Sequence, residues 1–238
     1  MIPEIRAETI ALGPISLHPF GILLVASVIA AHSALVRRAR AEALAPPRVI
    51  EGFAISLGAG GLLLSLFFDR VYGALGSFPA AAGAILAGAI YAAAFRLDLR
   101  RSADLAAWSF PFGWLFARLG CALVHDHLGP LSTSWLAVRF ASGSRLDLGL
   151  LEWLLVPLLF AAAELGRRSR RPGAIAGALA VVYPLMRFPL DFLRENDARR
   201  LGLTMAQWAT LPLFAAGIVL LAFVFTRGAP STRLSLEE

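Results

Sequence analysis

The chain has 238 residues, of which 58% are hydrophobic and 16% charged; soluble domains average about 45–50% apolar and about 25% charged. With a mean hydropathy of +0.71, this composition excludes an ordinary soluble domain and implies a polytopic membrane protein. The formal net charge of +6 rests on arginine alone, because all 22 basic residues are Arg. Membrane topology accounts for most of their placement, so the basic balance implies no nucleic-acid partner. Cys121 is the single cysteine, which excludes an internal disulfide and a cysteine-based zinc site.

Seven segments reach or approach the roughly 20 apolar residues that a spanning helix needs. They are 16–36, 49–68, 79–95, 105–124, 148–165, 174–192 and 208–225. The expected fold class is therefore all-α, with seven transmembrane helices in a single domain over residues 1–227 and a short disordered tail at 228–238. Ahead of the first segment stand Glu4 and Glu8 against Arg6, so the positive flank of a signal peptide is missing. Arg37, Arg38 and Arg40 follow it as a stop-transfer cluster, which sets the N-terminus outside. Alternation then puts 13 of the 22 arginines inside, in the clusters Arg37/Arg38/Arg40/Arg48, Arg96/Arg100/Arg101, Arg167/Arg168/Arg170/Arg171 and Arg227/Arg233. This obeys the positive-inside rule and places the C-terminus in the cytoplasm. The longest loop, 124–147, falls outside. Small residues at spacing four, Ala80/Ala84/Gly88 and Gly173/Gly177, either allow helices to approach closely or reflect simple alanine richness.

Seven more, Arg6, Arg70, Arg139, Arg145, Arg194, Arg199 and Arg200, fall in external segments, and the last two lie within apolar runs: Arg118 in the fourth segment and Arg187 in the sixth. An ionised group at membrane depth costs about 2.5–3.5 kcal/mol even on insertion scales, and normally has a partner or a wet cavity. Two of them imply a buried anion site, and the anion at hand in a membrane is a lipid phosphate. Arg118 stands one to two turns before the outer end of its helix. Gly120 and Gly129 beyond it would let backbone approach a head group. His125 and His127 titrate near neutrality, and with Asp126 between them a general base is available; a solvated turn is the plainer reading. Two histidines at this spacing could share a metal, but no third ligand follows from spacing, and no metal is expected.

In the sixth segment Arg187, Asp191 and Arg194 recur at i, i+4 and i+7, one helix face. Asp191 can neutralise one arginine while the other holds an anion, unless Pro189 disturbs the register. The alternative is a self-satisfied ion pair that locks two helices. Glu152 lies about a turn inside the fifth segment, after Arg145 and Asp147, and is a natural partner for Arg118 or Arg187. Glu51 and Glu164 read as interfacial residues. His32 reads as facing the bundle interior or the interface.

The ordered set of motifs resembles the bacterial prolipoprotein diacylglyceryl transferase family. Arg118-Leu-Gly120 after Pro111-Phe-Gly113 is similar to the family's Gly-Arg-hydrophobic-Gly core, with Gly129 in register and Asp126 at the family's Glu. Arg145, Leu150 and Glu152 match a fifth-segment motif. Pro172-Gly-Ala-Ile-Ala-Gly177, then Tyr183, Arg187, Asp191, Phe192, Arg194 and Asp197, match the sixth, and Leu203-Thr-Met-Ala-Gln207 precedes the last segment as in the family. Departures are equally specific. The family's His-Gly-Gly at the start of the third segment is Pro79-Ala80-Ala81, its motif Asn is Cys121, its first-segment Tyr is Phe20 and its fifth-segment His is Leu146.

The resemblance implies transfer of a diacylglyceryl group from phosphatidylglycerol to the lipobox cysteine of a prolipoprotein, without a cofactor. It also implies an inner-membrane location with the active site toward the outer face. The partners implied are phosphatidylglycerol, the prolipoprotein signal peptide and membrane lipid. Arg118, Arg187 and Arg194 would hold the phosphate. Gly120, Gly129, Arg145, Glu152 and Asp191 would support them. His125, ahead of His127, would stand in for the missing histidine as the base, oriented by Asp126 or Glu152. A non-catalytic phospholipid-binding paralogue, or a small transporter on the same fold, is the alternative, favoured by the lost His, Asn and Tyr.

Overall fold

The computed structural model describes residues 1–5, 7–13, 15–72, 76–195 and 197–227; Arg6 and the tail at 228–238, including Arg233, lie outside the described residues. Among the described residues, seven helices are long and apolar enough to cross a membrane, as the hydropathy pattern requires. They are α1 (Pro19–Ala41), α2 (Pro47–Tyr72), α3 (Ser77–Ala94), α4 (Leu99–Val124), α5 (Leu148–Arg168), α6 (Ala174–Leu190) and α7 (Met205–Arg227). The protein is a multi-pass membrane protein of the all-α class.

The helix ends depart from the apolar runs where capping chemistry dictates. Helix α1 starts at Pro19 rather than residue 16, because Pro at the first helical position needs no N–H partner. Helix α4 starts six residues before its apolar run. Asp98 caps it by accepting from the Arg101 N–H at 2.9 Å, and the added turn is polar. Helix α7 starts at Met205 through a reciprocal capping box: the Gln207 N–H donates to Thr204 Oγ1 at 3.1 Å, and the Thr204 N–H to Gln207 Oε1 at 2.9 Å.

Helices α1 and α4 pair, as do α2 and α3, while α5 and α6 pack against α4 and against each other, and α7 packs on α6. One apolar core joins α1, α2, α3 and α4 around Leu35, Ile50, Phe53, Ala92 and Leu105. A second joins α5 and α6 around Leu159, Ala163, Ile175 and Leu179. The small-residue stripes are contact surfaces. A Cβ on Gly83 of α3 would meet the Gly60 carbonyl of α2 at 2.1 Å, and one on Gly177 of α6 would meet Leu221 of α7 at 2.8 Å. At both crossings the helices approach more closely than any larger residue permits.

The loop after α4 is more ordered than its sequence indicates. β2 (Leu128–Leu131), β3 (Val138–Phe140) and β4 (Gly143–Asp147) form a sheet with β1 (Ile2–Pro3), in the order β1-β3-β4-β2. β1 joins β3 in parallel, and the other pairings are antiparallel. The sheet lies at the end of the bundle where α4 and α6 finish and α5 begins. His32 does not face the interior; it is 44% exposed and pairs with Glu51 at 2.8 Å.

Candidate active site

At the sheet-covered end, three helices bring three guanidinium groups onto two buried carboxylates. Arg118 (α4) and Arg187 (α6) are 5% and 4% exposed, Glu152 (α5) is 4% exposed, and Asp191, in the 3-10 turn Asp191–Leu193 after α6, is fully buried. Glu152 bridges both arginines: its Oε2 stands 2.8 Å from Arg118 Nε, and its Oε1 pairs with Arg187 Nη1. Asp191 Oδ1 forms ion pairs with Arg187 Nη2 at 3.0 Å and with Arg194 Nε at 2.9 Å. Arg194 Nη2 approaches Glu152 at 3.7 Å, and its Nη1 reaches the half-exposed Asp197 at 3.4 Å. Pro189 leaves the register intact, because the 3-10 turn carries the helical face on from Arg187 to Arg194.

Three cations face two buried anions, with the half-exposed Asp197 at the rim as a solvated partner of Arg194; the buried part of the cluster thus carries one positive charge in excess, the complement of a single phosphodiester. Several of these close contacts lack hydrogen-bond geometry. Arg118 Nε, Arg187 Nε, Arg194 Nε and both Asp191 oxygens are buried without a hydrogen-bond partner among the described residues. Buried polar groups are ordinarily satisfied, so the cluster retains donor capacity for an incoming oxyanion. Under it lies an aromatic floor. The Trp114 ring sits 4.1 Å below the Arg118 guanidinium, and Tyr183 packs edge-on against Trp114 and Phe110 at 5.4 Å each. A cation over an aromatic face is attracted by the ring's quadrupole, which adds to the hold of Glu152 on Arg118.

The histidines part company. His125 ends α4 in the left-handed conformation (φ 52°), which turns its ring back into the protein. There its Nδ1 stands 2.5 Å from Asp147 Oδ2, with both side chains buried. The same Asp147 caps α5 by accepting from the Leu150 N–H at 2.9 Å. Asp147, and not Asp126 or Glu152, orients His125. His127 is half-buried, and its Nδ1 donates to the Asp126 carbonyl at 2.9 Å. Ligand-type atoms of Cys121, Asp126 and His127 all lie within 4.8 Å of one another, and Arg118 Nη1 is 3.8 Å from Cys121 Sγ. His127 thus stands beside the arginine cluster. Partial burial pushes its pKa below the ordinary histidine value; the charges of Arg194 and Arg118 add to this, while Asp126 opposes it.

The remaining predicted site residues serve packing. A Cβ on Gly120 would meet the Phe20 ring of α1 at 3.1 Å, and one on Gly129 would meet the Leu146 and Leu193 carbonyls at 3.2 and 3.3 Å. Both glycines are packed closely against neighbouring protein. Arg145 donates from Nε to the Gly129 carbonyl at 2.9 Å and pairs through Nη2 with Glu195, which ties the sheet to the segment after α6. Asp147 and Trp114 are contributors that sequence reasoning missed. An acid directly before an apolar segment signals an N-cap, but its second bond to a histidine 22 residues back has no local signature.

The prolipoprotein diacylglyceryl transferase family profile matches residues 7–223. A phosphatidylglycerol–prolipoprotein diacylglyceryl transferase of Idiomarina loihiensis is 34% identical over 148 residues, 58% of this chain and 56% of the relative. One from Rhodospirillum rubrum is 34% identical over 167 residues, 62% of this chain and 58% of the relative. One from Chromohalobacter salexigens is 28% identical over 248 residues, 92% of each. The matched stretch thus spans under three fifths of the first two relatives and nearly all of the third. With a profile match over most of its length, the chain belongs to the prolipoprotein diacylglyceryl transferase family.

Proposed function

We propose that this protein transfers a diacylglyceryl group from phosphatidylglycerol to the cysteine thiol of a prolipoprotein lipobox. The convergence of Arg118, Arg187 and Arg194 on two carboxylates, with one positive charge in excess, carries this reading. The thiolate attacks the terminal glyceryl carbon of the diacylglyceryl group. The carbon–oxygen bond to phosphate breaks, a thioether forms, and glycerol phosphate leaves with its second negative charge. Charge therefore grows on the phosphate during the step, and donors fixed in a dry site stabilise that growth without reorganising. Guanidinium suits the task because it stays ionised and offers a planar fork to two phosphate oxygens.

The thiol must lose its proton, since the thiolate is the nucleophile. His127, rather than His125, is the base in this scheme. His125 is occupied by Asp147, whereas His127 is half-exposed beside the cluster and its lowered pKa keeps the ring neutral and able to accept. Asp126 orients it through the backbone carbonyl. The site faces the outer side of a bacterial inner membrane. In support, the arginine clusters at the ends of α1, α3 and α5 and at the starts of α2 and α4 all gather at the opposite end.

The test is direct. Purified protein is supplied with radiolabelled phosphatidylglycerol and a lipobox peptide, and the peptide is examined for a thioether-linked diacylglyceryl group. Lipidated peptide is expected. Binding of phosphatidylglycerol without any transfer would overturn catalysis in favour of a non-catalytic lipid-binding paralogue, the reading that Phe20, Cys121 and Leu146 favour at the family's polar positions.

A further inference from the structure

At the arginine-rich end, far from the Arg118 cluster, a cavity of about 1090 Å³ opens between α1, α4, the end of α5 and the turn into α6. Its rim is strongly basic. Helix α1 contributes Arg37 and Arg38, helix α4 contributes Arg101, and α5 with the following turn contributes Arg167, Arg168, Arg170 and Arg171. The rim acids are committed elsewhere. Glu164 holds Arg167 and Arg168 at 2.6 and 2.9 Å, and Glu42 holds Arg38 at 2.7 Å. Asp104 accepts from the Gly173 and Ala176 N–H groups at 2.7 and 2.9 Å and so caps α6. Seven arginines against three carboxylates leave four cations in excess. Arg101 and Arg170 make no ion pair among the described residues, and Arg38 Nε is buried without a hydrogen-bond partner.

The positive-inside bias alone would scatter arginines at this end, but it demands nothing of shape. Here the wall descends from charge to hydrocarbon. Along α4 the lining runs from Arg101 through Trp108 to Phe112, and along α1 from Arg37 back to Ala34 and Ala30. At about 1.5 Å per helical residue, the α4 wall is roughly 16 Å long, enough for a head group and the upper part of an acyl chain. Arg38 lies over the Trp108 ring at 4.6 Å, where the basic rim meets the apolar wall. A free phosphate would need the rim alone. A basic pocket between spanning helices that continues into an apolar channel fits a lipid.

We propose that this groove binds one anionic phospholipid of the leaflet at the arginine-rich end, separate from any lipid held at Arg118 and Arg187. Its head group lies among Arg37, Arg101 and Arg170, and one acyl chain lies along Ala34, Ala30 and Phe112.

Native mass spectrometry of the delipidated full chain, titrated with phosphatidylglycerol, tests this. The variant is Arg101→Gln/Arg170→Gln, two exposed positions where substitution perturbs folding little. At about a tenfold loss per 1.4 kcal/mol, and the strength typical of a juxtamembrane arginine, one of the bound lipids should bind roughly thirtyfold more weakly in the variant. Phosphatidylcholine should not fill the site, and millimolar inorganic phosphate should not empty it. An unchanged lipid count and affinity in the variant, equal binding of phosphatidylcholine, or displacement by inorganic phosphate would each overturn the proposal. Because an Arg187→Gln variant removes the lipid at the other end, the two sites are scored separately, and failure of the transferase reading leaves this result standing.

Discussion

Replacing Glu152 by Gln separates a ligand site from a closed ion-pair lock. Glu152 touches both Arg118 and Arg187 and is 4% exposed. Removing one partner from a buried ion pair costs about 3–5 kcal/mol, because the charges left behind are uncompensated. For a chain of this size, that predicts a fall in Tm of about 6–20 °C. The substitution also leaves Asp191 as the one buried carboxylate facing the three guanidinium groups, which raises the excess of buried positive charge by one. A ligand site then gains affinity for a phosphodiester, and lipid at about 100 times its Kd returns about 2.7 kcal/mol of stability. The assay is thermal unfolding in detergent, with wild type and Glu152→Gln each measured with and without a short-chain phosphatidylglycerol. Both proteins are expected to gain Tm with lipid, the variant more than the wild type. A variant destabilised to the same extent with and without lipid, alongside a wild type indifferent to lipid, would refute the reasoning and leave the cluster a structural lock.

Four further outcomes follow. Arg118→Gln should weaken phosphatidylglycerol binding by about 10- to 100-fold, the range for a lost hydrogen bond to a charged group, as read by native mass spectrometry or calorimetry. The acid limb of the pH–rate profile should lie below the ordinary histidine pKa, because His127 is held neutral by burial and by Arg194 and Arg118. Arg194→Gln removes a cation that disfavours imidazolium, so it should move that limb to higher pH, and His127→Ala should abolish the limb. Asp147→Asn keeps an N-cap for α5 but breaks the charge pair with His125, so transfer should survive within a fewfold if His127 is the base and be lost if His125 is. Thr204→Ala should lower stability by about 1 kcal/mol through loss of the α7 capping box, measured as a small drop in Tm.

The spanning helices were legible because hydropathy alone requires them, and the errors fell at their ends. Helices α4 and α7 begin earlier than their apolar runs because Asp98 and the Thr204–Gln207 pair cap polar turns, which hydropathy does not register. The loop strands escaped notice because they are short and carry Gly129, Pro130 and Gly143, and because one of them, Val138–Phe140, also pairs with N-terminal residues more than 130 positions away. Of the site, the i, i+4, i+7 face of Arg187, Asp191 and Arg194 was readable from spacing. That Glu152 would hold two arginines at once was not, because it depends on the approach of three helices. The glycines at 120 and 129 carried a motif signal whose physical content is close packing against Phe20, Leu146 and Leu193. The two histidines differ for a reason invisible in sequence: the left-handed turn at His125 sends one ring inward to Asp147 and leaves the other beside Cys121.

The central claim is that the three arginines meet on one lipid phosphate. A cryo-electron microscopy structure of the protein in nanodiscs containing phosphatidylglycerol measures this directly. The account predicts a phosphate within about 2.7–2.9 Å of guanidinium nitrogens of both Arg118 and Arg187, with the glyceryl carbon facing His127. A cluster closed on Glu152 and Asp191, with lipid phosphate found elsewhere on the protein, would contradict it.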